Sequence, residues 1–194
     1  MPFSPAQSLH DAHALAHQFA TSDATLAFLH AAIDTTAQAF SRGNKLLAVG
    51  NGGSLCDASH IVEEFTGRFR GNRPPLPALA CDSPGHLTCV ANDFGFHDVF
   101  ARWVAALAKP GDVVLLLSTS GNSENVLLAA KAAREAGAVT FALSGNGGGK
   151  LASLAHHTLV APGATADRIQ ELHMLALHTL VEGVEHAMGF ATTP

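Results

Sequence analysis

Between residues 5 and 42 apolar positions recur at helical spacing. Leu9, Ala12, Ala16 and Phe19 form one stripe, and Leu26, Leu29, Ile33, Ala37 and Phe40 a second. Residues three and four apart share a helix face, so the pattern predicts two helices with Thr21-Ser22-Asp23 as the break and N-cap between them. They form either a cap on a sheet or an oligomer-forming pair. From residue 44 the period changes. Short apolar runs at Lys45–Val49, Ala78–Ala80, Val113–Leu117, Val139–Leu143 and Thr158–Val160 read as strands. Between them, Ser54–Arg68, Gly85–Phe94, Asp98–Ala108 and Asn125–Ala136 read as helices. A short helix is expected from Lys150, and a long terminal one from Asp167 to about Met188.

Strands alternating with helices predict an α/β fold, a doubly wound and mostly parallel sheet flanked by helices. We read one domain over residues 1–194, with a helical extension at 1–42 and an α/β core at 44–190. In such sheets ligands bind beyond the carboxyl ends of the strands.

Composition narrows the partners. The chain carries 11 Lys and Arg against 16 Asp and Glu, a formal charge of −5, with no basic run. Nucleic acid and anionic membranes are therefore not expected partners. No apolar run has the roughly 20 residues that span a bilayer. The first basic residue is Arg42, so no basic leader is read, and three cysteines without C-x-x-C spacing suit a reducing cytoplasm.

Two loops follow strands. Gly50-Asn51-Gly52-Gly53-Ser54 opens one helix, and Ser118-Thr119-Ser120-Gly121-Asn122-Ser123 opens another. Hydroxyls and free N–H groups at a helix N-terminus can cradle a phosphate, and an N-cap with a plain turn is the alternative. Neither loop fits G-x-G-x-x-G or the P-loop pattern. Gly147-Gly148-Gly149 reads as a turn. Behind the first loop, His60 and Glu64 lie one turn apart on one helix face, suited to proton transfer, to metal binding or to an ordinary surface contact.

Five separated motifs together resemble the phosphoheptose isomerases of the SIS (sugar isomerase) fold: Gly50–Ser54, His60-x-x-x-Glu64, Asn92-Asp93, Ser118–Ser123, and Arg168-Ile169-Gln170-Glu171 with His178. The resemblance implies conversion of sedoheptulose 7-phosphate to D-glycero-D-manno-heptose 7-phosphate, the first step towards ADP- and GDP-heptoses of bacterial surface glycans. It implies a homotetramer with active sites between subunits, and zinc at His60, Glu64, Gln170 and His178. The implied substrate positions are Asn51, Gly52, Gly53, Ser54, Glu64, Asn92, Asp93, Ser118, Thr119, Ser120, Ser123 and Gln170. Glu64 is the expected base and His178 the expected acid.

Gln170 and His178 are eight residues apart, roughly 12 Å along a helix. One metal reached by both from a single copy would stretch both side chains, so the site is expected to borrow residues from another subunit. The alternatives are a non-catalytic SIS-fold protein of the kind that associates with the replication initiator DnaA, and an isomerase of another sugar phosphate. The first kind resembles the glycine and serine loops but lacks the equivalents of Glu64 and His178.

Overall fold

The computed structural model describes residues 3–190. Its elements are helices α1 (Pro5–Ala20) and α2 (Asp23–Ser41), strand β1 (Leu46–Gly50), helix α3 (Gly53–Thr66), strand β2 (Ala78–Ala80) and helix α4 (Pro84–Phe94). A 3-10 turn (Phe96–Asp98) leads into α5 (Val99–Leu107), β3 (Val113–Ser118), α6 (Glu124–Glu135) and β4 (Val139–Ser144). Then come 3-10 turns over Asn146–Ser153, β5 (His157–Val160) and α7 (Ala166–Ala187).

The five strands form one parallel sheet in the order β2-β1-β3-β4-β5. Both faces are covered, which is why β1 and β3 are apolar without alternation and wholly buried. Leu46, Ala48, Leu115, Leu117, Phe141 and Leu143 face a layer made by α2, α3 and α7. Leu47, Val49, Val114, Leu116 and Ala142 face a layer made by α4, α5 and α6.

Of the two N-terminal helices, α2 is a cap on the sheet. Ser22 accepts a hydrogen bond from Thr25 N at 3.3 Å and starts the helix where the sequence places its cap. Phe28 meets Phe141 edge-on with ring centres 5.6 Å apart, and Phe40 meets Phe65 at 5.2 Å. Burying each ring stabilises the layer by about 1.5–3 kcal/mol. By contrast, α1 buries only Phe19 fully and leaves Leu9 exposed. Among the described residues no helix is long and apolar enough to cross a membrane.

The expected short helix at Lys150 begins earlier and is irregular. Gly147, Gly148 and Gly149 have φ of 77°, 88° and 56°, so the segment folds as linked 3-10 turns around a kink.

His173 joins α7 to the end of β4. It is fully buried, and its Nε2–H donates to Ser144 O at 3.1 Å. Burial pushes its pKa down to about 4, with the Ser144 carbonyl pulling the other way. An unfolded histidine takes its proton near 6.5, whereas the folded one resists until about 4. Stability should therefore fall as pH drops through that window, by about 3 kcal/mol in total. Urea unfolding between pH 7 and 4 measures the slope. His173→Phe should flatten it, and an unchanged slope would locate the acid sensitivity elsewhere.

Candidate active site

β1 and β3 are neighbours, with Gly50 opposite Leu117, yet the chain leaves β1 towards β2 and leaves β3 towards β4. The loops after the two strands therefore diverge and open a crevice at their carboxyl ends. Both following helices, α3 and α6, start without a side-chain cap. Their positive dipole ends thus favour an anion, while the N–H groups of Ser54, Leu55 and Val126 are already bonded to Asn51 O, Gly52 O and Ser123 O. Across the crevice floor, Asn51 Nδ2 donates to Asn125 Oδ1 and Asn125 Nδ2 to Asn51 Oδ1, each at 2.9 Å. Asn51 is thus committed to tying the loops together. Asn125 is a site residue that sequence reasoning missed; its only signal was its place in the first turn after the serine loop.

The serine loop is held rigidly from behind. Ser118 Oγ donates to Ser123 Oγ at 3.2 Å, and Ser144 Oγ donates to Ser118 O at 2.9 Å. Gly145 N donates to Thr119 O at 3.1 Å and Leu151 N to Gly121 O at 2.9 Å. The triple-glycine turn lies directly against the loop, so it is the platform for the loop as well as a turn. At Gly121, φ is 63° and a Cβ would come 2.0 Å from Gly148 O. Thr119 is half-buried and Ser120 exposed, and Ser120 Oγ accepts from Asn122 N at 3.1 Å.

The titratable groups sit on α3 and α7, which lie side by side and run in the same direction. Gln170 packs on the start of α3, with its Nε2 3.5 Å from Ser54 Oγ; a Cβ on Gly53 would come 2.6 Å from the same Nε2. Two turns further along both helices, His60 Nε2 lies 3.0 Å from His178 Nε2. Glu64 Oε1 is 3.4 Å from His60 Nε2, and Glu63 Oε1 is 3.4 Å from His60 Nδ1. All of His60, Glu64 and His178 are half-buried.

One donor atom from each of His60, Glu64 and His178 falls within 4.8 Å of the others, a group able to hold a metal ion. Two imidazoles and a carboxylate are a donor set that suits zinc with a position left open. Asp57, one turn before His60, has a buried Oδ2 without a hydrogen-bond partner. Burial pushes its carboxyl up to about 6, opposed by His60.

Other sequence-derived residues are not brought to this cluster within one copy. Gln170 stays at the level of Ser54, eight residues and roughly 12 Å of helix from His178. Asn92 and Asp93 lie exposed on α4, where Asn92 Nδ2 donates to Asp93 Oδ1 at 2.8 Å.

Gly121→Ala should displace the serine loop from its platform, because the added methyl meets backbone rather than a flexible side chain. We expect a loss of about 1–3 kcal/mol in urea unfolding together with weaker phosphate binding by calorimetry. Unchanged phosphate binding would remove the loop from anion recognition.

The SIS domain family matches residues 9–145. A phosphoheptose isomerase of Fusobacterium nucleatum is 50% identical over 152 residues, 78% of either chain. One from Vibrio cholerae is 47% identical over 173 residues, 89% of this chain and 91% of that protein. The solved structure of phosphoheptose isomerase from Neisseria gonorrhoeae superposes with a TM-score of 0.87 at 34% identity, over 93% of this chain and 96% of that one. Sheet order, loop positions and the His–Glu–His cluster thus accompany whole-length likeness to one group of enzymes, and the chain belongs to the phosphoheptose isomerases of the SIS domain family.

Proposed function

We propose that this chain interconverts sedoheptulose 7-phosphate and D-glycero-D-manno-heptose 7-phosphate through a cis-enediol, with Glu64 and His178 moving the protons. The observation that carries the reading is the meeting of Glu64 and His178 at His60, two turns along α3 from the Gly50–Ser54 loop.

Ketose–aldose exchange moves one proton between C1 and C2 and another between their oxygens. Glu64 suits the carbon transfer, because a single carboxylate takes the proton from one carbon and returns it to the next. His178 suits the oxygens, since an imidazole both donates and accepts near neutral pH. In this chain His60 Nε2 lies 3.0 Å from His178 Nε2 and 3.4 Å from Glu64 Oε1, so the carboxylate and the imidazoles are gathered at one point. Ser118, Thr119, Ser120 and Ser123, with the start of α6, hold the C7 phosphate. Asn51, Gly52, Gly53 and Ser54 line the facing loop. Anchoring the phosphate there fixes the distance from C7 to the reacting carbons, which converts binding into orientation.

The metal in this reading is zinc, which His60, Glu64 and His178 would hold; Glu64 cannot be a tight ligand and the free base in the same instant. When bound, the metal supplies Lewis-acid polarisation of the substrate's oxygens. Gln170, lying over Gly53 and Ser54, contacts substrate in its own copy. Its role as a metal donor, and the roles of Asn92 and Asp93 at substrate, belong to a neighbouring subunit in a homotetramer. All three cysteines are free, which agrees with a cytoplasmic setting.

The primary test is turnover of sedoheptulose 7-phosphate by purified protein with and without chelator. We expect turnover that chelator abolishes and zinc restores, whereas chelator-independent turnover would separate the metal from the reaction. Glu64→Gln should lower the rate by about 10²–10⁴-fold with little change in phosphate affinity. A near-normal rate would remove Glu64 from the proton transfer.

Shared sites make a second expectation. Inactive Glu64→Gln and inactive Asp93→Ala chains, refolded together, should recover activity in mixed tetramers. Sedimentation gives the assembly state, and no recovery from mixed tetramers would place every site within one copy.

A further inference from the structure

The last carbonyls of a helix need partners from outside it. In α3 the Glu63 carbonyl takes Gly67 N at 2.8 Å. The next two go to one side chain beyond the helix. Arg73 Nη2 donates to Glu64 O at 2.5 Å, and Nη1 donates to Phe65 O at 2.7 Å and to Pro74 O at 3.1 Å. From its other edge, Nε donates to Glu185 Oε1 on α7 at 2.6 Å. The two side chains are only 1% and 6% exposed.

Stability alone is a poor account of this arrangement, because a buried ion pair can often be exchanged for well-packed apolar residues without loss. Its geometry says more. A planar guanidinium offers donors in fixed directions, and here they are divided between two helices. One set grips the end of α3 at the carbonyl of Glu64; the other grips α7 two turns beyond His178. A cation at the negative end of α3 also opposes fraying of the turn that bears Glu64.

We infer that Arg73, fixed by Glu185, is a positioning residue that sets the register of Glu64 on α3 against His178 on α7. It touches no reacting atom and acts through the backbone of Glu64. The inference rests on the reading of Glu64 and His178 as the reacting pair and of His60, Glu64 and His178 as a metal site.

Two variants test it: Arg73→Lys, which keeps the charge but loses the divided fork, and the double variant Arg73→Met with Glu185→Leu, which exchanges the pair for apolar groups. Each is compared with the unsubstituted protein and Glu64→Gln in thermal unfolding, in Co²⁺ affinity by competition with a chromogenic chelator, and in kcat and KM. The double variant should unfold near the unsubstituted temperature. Both variants should bind Co²⁺ about 10–100-fold more weakly, with kcat lowered and KM nearly unchanged because the phosphate loops are remote. Unaltered Co²⁺ affinity and kcat in either folded variant would overturn the inference, and Arg73→Lys decides alone should the double variant not fold. Failure of the catalytic reading looks different: Glu64→Gln then keeps its rate, while the Co²⁺ affinities of the Arg73 variants still decide whether Arg73 positions the cluster. Absence of Co²⁺ binding by the unsubstituted protein would overturn both the metal site and this inference.

Discussion

Much of this molecule follows from two adjacent parallel strands whose chains must leave in opposite directions. Because β1 connects to β2 and β3 to β4, the loops beyond Gly50 and Ser118 cannot lie over each other, and a crevice opens between them. Neither loop could keep that shape unaided. The Asn51–Asn125 pair ties one to the other, and the turn at Gly147–Gly149 supports the second from behind. Small residues are needed throughout, since backbone approaches backbone there.

Beside the crevice, α3 and the segment that follows it form a ladder of polar contacts with α7 in matching register. Its successive rungs are Ser54 with Gln170, His60 with His178, Arg70 with Glu182, and Arg73 with Glu185. The ends and the middle differ in kind. Charge-paired groups close the far end, and a neutral amide and hydroxyl meet at the near end. Among these rungs the middle one brings two imidazoles together with a carboxylate, the group able to hold a metal ion. The His–Glu–His cluster thus lies between α3 and α7, and the ion pairs beyond it join α7 to the segment that follows α3.

Much of this was legible in the sequence, for a physical reason. Buried parallel strands are short apolar runs bounded by Gly, Pro and polar residues, so β1 to β5 were read within a residue or so of their observed limits. His60 and Glu64 were legible as a pair because helical spacing alone places them together. What escaped was contact between distant positions without a periodic signature. Asn51 and Asn125 are 74 residues apart, and Arg73 and Glu185 are 112 apart. Nothing local in N-R-P or in the last helix announces that one will grip the other. The glycine run was readable as a turn, but its use as a platform depends on β3 and β4 being neighbours. Likewise, two amphipathic N-terminal helices look alike as stripes, and only the packing of Phe28 and Phe40 separates α2 from α1.

The crevice loops have one further consequence. From Gly50 to Ser54 and from Ser118 to Ser123 there is no group that titrates between acid and neutral pH, and the pair on the floor consists of two uncharged amides. In the proposed reading, holding a phosphate end and transforming a carbonyl end are therefore tasks of separate parts of the fold, the first without a titrating side chain of its own. On that reading a descendant of this scaffold can exchange its side chains on α3 and α7 and still keep the loops, so the cradle is free to outlast the chemistry it first served.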